Sequence, residues 1–221
     1  MTQSQTEEEV LRENRTVMGP ELGKLHFLLW RELATLHLNW YEYRALFASA
    51  QDKFALMNAT APRFFKRLEN SLWDATLLHL CRLTDRPGSA DKANLTFMRL
   101  ALSVRDTKLK AEVEHLTSLA VNRTKFARKR RDKHLAHRDW NRATSPEVHP
   151  LPAASRAHVE EALAALRDVL NHLELHFRGC RVAYEDTLGG AGGVAALFYF
   201  LKLGHEAETL RKRSLSEGKP K

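Results

Sequence analysis

Cysteine is nearly absent from this chain: Cys81 and Cys180 are the only two in 221 residues, and they form no Cys-x-x-Cys pair. A disulfide scaffold and a cysteine-based metal ribbon are thereby excluded, and both thiols read as reduced and structural. Long apolar runs are also missing. The longest, Val194 to Leu201, falls far short of the roughly 20 residues that cross a bilayer. The opening residues, Met1 to Glu9, are acidic and carry no apolar leader core, so a cytoplasmic protein with no membrane partner is expected. The Asn-x-Thr matches at Asn14, Asn58, Asn94 and Asn122 are then chance, because glycosylation needs secretion.

Period-two alternation is lacking over any convincing length, which removes a sheet as the organising layer. No P-loop, no Gly-x-Ser-x-Gly and no plausible Cys–His nucleophile pair occurs. Gly190-Ala191-Gly192-Gly193-Val194-Ala195 matches a dinucleotide-binding string. That site, however, needs a preceding strand and a full βαβ unit, so the string reads as a hinge opening a last helix. His172 and His176 are four apart, a zinc-compatible spacing. Glu174 is one place off the His-Glu-x-x-His pattern and no third ligand is evident, so no metal and no cofactor are expected.

What the chain does have is helical periodicity. Thr6 with Glu9 forms a capping box ahead of a first helix that ends at Gly19-Pro20. Leu22, Leu25, Leu29, Leu33, Leu36, Trp40, Tyr43 and Phe47 then follow spacings of three or four, the mark of one long helix with one buried stripe. Phe65, Leu68, Leu72, Thr76, Leu80 and Leu83 mark another, stopped at Thr84-Asp85-Arg86-Pro87-Gly88. Asn94 is read as capping a brief helix, Asp106 the next, and Ser155 a further one whose inner face is Leu163, Leu166, Leu170, Leu173 and Phe177, closed by Gly179. The residues from Arg211 onward are expected to fray. The predicted fold is all-α: a bundle of four to six core helices over residues 1–203, then a loose basic extension, 204–221.

The chain carries 35 Lys and Arg against 27 Asp and Glu, a net charge of +8. Almost all of that excess sits in one stretch, Val121 to Arg142. It holds Arg123, Lys125, Arg128, Lys129, Arg130, Arg131, Lys133, Arg138 and Arg142 against Asp132 and Asp139, with His134 and His137 in the middle. A cationic field of this density suits a phosphate-bearing polymer, and imidazole is the side chain that moves protons near neutral pH. The bland alternative is a solvated, charged helix face. Trp140 beside the stretch is a candidate for stacking on a base, whereas Trp30, Trp40 and Trp73 read as core or interface. From residue types alone the helix either runs on through Arg130 or breaks there, with Asp132 capping a new turn.

The string Arg131-Asp132-Lys133-His134-Leu135-Ala136-His137-Arg138-Asp139 resembles the active-site signature of the HEPN superfamily: an Arg, a polar residue, then a His a few places on. Arg131, Asp132 and His137 match those places. Lys133 to Asp139 resembles in particular the abortive-infection U-type branch, as does Arg82-Leu83-Thr84-Asp85 at the end of an earlier helix. The resemblance implies a HEPN-like bundle and a metal-independent endoribonuclease of phage-defence or toxin–antitoxin type. It also implies a homodimer whose two motifs meet across a cleft.

In such a site the RNA 2′-OH is the nucleophile. Paired His137 imidazoles would act as base and acid, and Arg131 would stabilise the charge that builds on phosphorus. Asp132, favoured by the motif over Asp139, would hold Arg131 or orient an imidazole. Arg128, Lys129, Arg130, Lys133, His134, Arg138 and Trp140 are the expected RNA-binding residues. Arg130, seven before His137, rivals Arg131 for the catalytic place, because positions 131 and 137 lie about 120° apart on an ideal helix. His134 is the rival imidazole. The alternative function implied is a non-catalytic RNA- or nucleotide-binding module with an antitoxin or nucleotidyltransferase partner.

Overall fold

The computed structural model describes residues 6–48, 51–89, 92–135, 140, 144, 145, 147, 153–184 and 193–217. Its chain forms α1 (Glu7–Met18), α2 (Pro20–Phe47), α3 (Gln51–Thr60) and α4 (Pro62–Thr84). A two-residue antiparallel hairpin follows, β1 (Gly88–Ser89) with β2 (Lys92–Ala93), and then a 3₁₀ turn (Phe97–Arg99) leading into α5 (Leu100–Ser103). After these come α6 (Thr107–Arg123), α7 (Lys125–Arg130), a π-helical turn (Arg131–Leu135), α8 (Arg156–Arg178) and α9 (Val194–Glu217). The fold is all-α. No helix among the described residues is long and apolar enough to cross a membrane.

The chain divides into two compact units. The first takes residues 1–37 and 74–185, the second 38–73 and 186–221, so α2 and α4 each contribute to both. In the first unit α6 packs along α8. Leu109, Val113 and Ala120 on α6 are fully buried, as are Val159, Leu163, Leu166, Leu170 and Leu173 on α8. Each large aliphatic side chain so buried stabilises the fold by about 1.5–3 kcal/mol. From α2 the same unit takes Leu22, Leu29, Leu33 and Leu36, and from α4 Leu77, Leu80 and Leu83. In the second unit Trp40 stacks on Tyr43 at 5.0 Å between centroids and meets Trp73 at 6.1 Å. There α3 packs on α9.

Local signals place several ends. Both halves of the Thr6–Glu9 capping box form, and Asp106 and Ser155 accept from the backbone N–H three residues on. Gly179 closes α8 with φ +67°, a left-handed conformation that costs glycine nothing. Gly23 is required for another reason: a Cβ there would strike the backbone of Asn14 where α1 crosses α2.

Three expectations are corrected. The short segment Asp52 to Asn58, which the sequence leaves between two helical patterns, is itself part of a helix, Gln51–Thr60. The cap after the hairpin is Thr96, whose hydroxyl accepts from Met98 N–H, while Asn94 donates its side-chain amide to Arg86 O across the hairpin. The last helix continues to Glu217 instead of fraying from Arg211, with Arg211 bonded to Glu208 on its surface.

One polar network lies in the first unit's core. Arg178 makes two bonds to the buried Glu174, at 2.8 and 2.9 Å, and a third to Asn14 Oδ1. His26 is buried beside them, its Nδ1 3.4 Å from Asn14 Nδ2 and its Nε2 3.4 Å from Glu174. Burial pushes the His26 pKa down to about 4, against the pull of Glu174. Arg178 already satisfies that carboxylate, so the imidazole stays neutral.

Candidate active site

The basic stretch is not one continuous α-helix: it is jointed at Thr124 and changes winding again after Arg130. Helix α6 ends at Arg123, and Thr124, fully buried with φ −92° and ψ 0°, makes the joint to α7. The Thr124 hydroxyl meets Thr84 Oγ1 at 3.0 Å, which ties this joint to the last residue of α4. After Arg130 the winding loosens to the π-helical turn at Arg131–Leu135. Such turns are costly and concentrate at functional sites. Crowded like charges weaken a regular helix here, and the altered winding accompanies two guanidinium groups, from Arg128 and Arg131, reaching the end of α4.

Arg128 donates from Nη2 to Thr84 O at 2.8 Å and to Thr84 Oγ1 at 3.1 Å, placing a cation on α4's carbonyl end where the helix dipole favours it. Arg131 donates from Nη1 to both oxygens of Asp85, at 2.9 and 3.0 Å, and from Nε to Asp132 Oδ1 at 2.9 Å. Asp85 also lies 3.5 Å from Arg128. The Thr96 hydroxyl fixes the α4 exit by donating within reach of Leu83 O and Asp85 O. Arg131 is half-buried, with 25% of its side chain exposed, and Asp85 has 31%. Burial works against the Arg131 charge, but the bonds from Asp132 and Asp85 outweigh it and its pKa is raised. The guanidinium is a permanent cation. Cys81 lies within the field of Arg131 and Arg128. Burial still lifts its thiol to about 11, so it is no nucleophile at neutral pH.

The structure thus brings Arg131 and Asp132 together and adds Asp85 and Arg128. Lys129 and Lys133 are exposed, Arg130 is half-buried, and Trp140 is 77% exposed. His137, Arg138 and Asp139 lie outside the described residues, as does the His134 side chain. Arg123 is committed to Glu161 at 2.8 Å.

The family model for AbiU2, a HEPN family, matches residues 20–195, which span α2 to α8 and the whole of this site. The chain belongs to the AbiU2 family of HEPN proteins. No curated protein and no solved structure matches it significantly. Within this AbiU2 chain, Thr84 and Asp85, at the end of Arg82-Leu83-Thr84-Asp85, bond Arg128 and Arg131. The two segments are separated by 46 residues between Asp85 and Arg131.

Sequence reasoning noted Arg82 to Asp85 without assigning it a role, and it missed Thr124, Glu32 and His79. One signal was available: Arg128 and Arg131, three apart on one face, need a shared anion, and a helix end carrying Thr-Asp supplies it. The pair at His172 and His176 has an ordinary explanation in the fold, with His172 Nε2 on Glu112 at 3.0 Å and His176 edge-on to Phe177.

Proposed function

We propose that this protein is a metal-independent endoribonuclease of defence or toxin type. It acts as a homodimer in which Arg131 stabilises the phosphorane and His137 of each subunit moves the proton. The observation that carries the reading is Arg131 itself. It is a permanent cation fixed by two carboxylates, in the stretch that resembles the superfamily's signature and holds most of the chain's excess positive charge. Held by Asp85 at Nη1 and Asp132 at Nε, the guanidinium has its plane set before RNA arrives. Pre-set donors cost no reorganisation in the transition state.

RNA brings the nucleophile. A neutral imidazole takes the 2′-OH proton, the oxygen attacks the adjacent phosphorus in line, and the 5′-oxygen leaves with a proton from a second imidazole. The products are a 2′,3′-cyclic phosphate and a 5′-hydroxyl.

The test is RNA cleavage by purified protein in EDTA with analysis of the ends. Arg131→Ala and His137→Ala should each lower the rate by about 10²–10³ or more while the melting temperature holds. Metal-dependent cleavage, or full activity in both variants, refutes the proposal.

A second reading is favoured by the same geometry. Arg131 spends Nε and Nη1 on protein carboxylates, and a guanidinium so engaged suits a binding module that holds RNA without cutting it. Tight RNA binding whose log K falls steeply with log salt, with no turnover, selects that reading.

A further inference from the structure

We propose that the cleft walled by Glu32, Arg82, Leu83, Asp85, Asn94 and Leu95 is a nucleobase subsite next to the phosphate-facing Arg131. The inference rests on the RNA-binding reading above and names what that site takes beside the phosphate. Asp85 is the shared wall: its carboxylate lines the cleft and holds Arg131 at 2.9 Å.

Charge decides what kind of ligand enters. The carboxylates on or bonded to the cleft are Glu32, Asp85 and Asp132, and the guanidiniums are Arg82, Arg128 and Arg131. Three against three leaves no surplus cation, and a phosphate inside would face Glu32 and Asp85 directly. Beside Arg131 along the chain, α7 and the π-helical turn carry three exposed lysines outside this balance, Lys125, Lys129 and Lys133. The phosphate therefore belongs on the α7 side, and the cleft suits an uncharged, polar group.

Hydrogen-bonding pattern narrows it further. Glu32 takes His79 Nε2 and Arg82 Nη2 on one oxygen, Oε2, each at 2.9 Å. Among the described residues its Oε1 accepts nothing. A fixed acceptor therefore stands beside the remaining donors of Arg82, which matches the edge of a base where an N–H adjoins a ring nitrogen or carbonyl oxygen. Burial and Arg82 lower the His79 pKa, against Glu32. His79 thus anchors the carboxylate as a neutral donor and adds no charge. Leu95, part-exposed at the cleft, gives a ring face methyl groups, which a ribose would not need. The cavity of about 180 Å³ holds about six waters at roughly 30 Å³ each, room for one base and not for two.

The test titrates the four nucleoside 5′-monophosphates and ribose 5-phosphate separately into the full-length protein, into Glu32→Gln and into Arg82→Met, by calorimetry. At least one nucleotide should bind about tenfold more tightly than ribose 5-phosphate. Both variants should erase that difference without changing ribose 5-phosphate affinity or the melting temperature. Equal affinity for nucleotides and ribose 5-phosphate overturns the proposal, as does an equal loss for both in Glu32→Gln, the signature of a ribose site or a structural carboxylate. If single-stranded RNA still binds in an Arg131-dependent way while no nucleotide is preferred, the subsite fails and the function stands. If RNA does not bind at all, both fall.

Discussion

Two carboxylate–guanidinium clusters in the first unit use the same chemistry in opposite surroundings. Glu174 and Arg178 sit one turn apart on α8, with 6% and 19% of their side chains exposed, and Asn14 and His26 close the space around them. Asp85 and Arg131 come from segments 46 residues apart and keep 31% and 25% exposure beside a cleft. The sealed cluster has no room for a ligand, and its ions are tied to the fold that desolvates them. The open cluster gives up some of that mutual attraction to solvent and in exchange leaves Arg131 within reach of an anion. Similar ion pairs thus serve registry in one place and recognition in the other, and accessibility separates them.

Breaking the sealed cluster should have the largest effect on stability. Glu174→Ala leaves the part-buried Arg178 with only the longer 3.5 Å contact to Glu13 for an anion, and urea unfolding should show a loss of about 3 kcal/mol or more. A loss below about 1 kcal/mol would mean that water reaches the network and that the contrast with Asp85 is false.

The next effect is pH-dependent. His26 has a folded pKa of about 4, below its unfolded value of about 6.5, so the unfolded chain binds the proton first. The stability is fully present above about pH 6.5 and falls as pH drops toward 4, by about 3 kcal/mol at the limit. Melting curves from pH 7 to pH 4 should show a steeper decline for the wild type than for His26→Gln. Parallel curves would remove His26 as the cause.

Thr84→Val sharpens the comparison at the open cluster. It strips Thr124 and Arg128 of a buried partner hydroxyl and should cost about 1–3 kcal/mol in thermal or urea unfolding. The smallest stability change is expected for Asp85→Asn, about 0–1 kcal/mol, because the pair is part-exposed. The same substitution should lower RNA cleavage or binding at least severalfold, by freeing the Arg131 plane. A stability loss as large as that of Glu174→Ala, with RNA handling unchanged, would place Asp85 with the structural ions.

Much of the helical layout was legible because burial follows period. Leu22, Leu29, Leu33, Leu36 and Trp40 are all buried as their spacing requires, and Gly19-Pro20 and Arg86-Pro87-Gly88 stop helices for local backbone reasons. The misses have local causes too. Asn94 and Thr96 are both capping residues two places apart, and composition does not rank them. Gln51–Thr60 is a helix with almost no apolar asymmetry, so periodicity carries no signal for it. The basic stretch defeated a sequence reading because its winding accompanies contacts from outside, to Thr84 at the end of α4 and to Asp85 just after it.

Residue order alone determined that the chain is helical, where most helices begin and end, and that its excess positive charge collects around Arg131, because caps, breakers and charge act over a few residues. Only the tertiary structure decided that Asp85 and Asp132 hold Arg131, that the basic stretch is jointed at Thr124 as well as rewound after Arg130, and that Glu32 and Arg82 wall a cleft beside them. Those pairings join residues tens of positions apart, and a hydrogen bond across such a span forms only once the buried leucines of α2, α4 and α8 have brought the segments together.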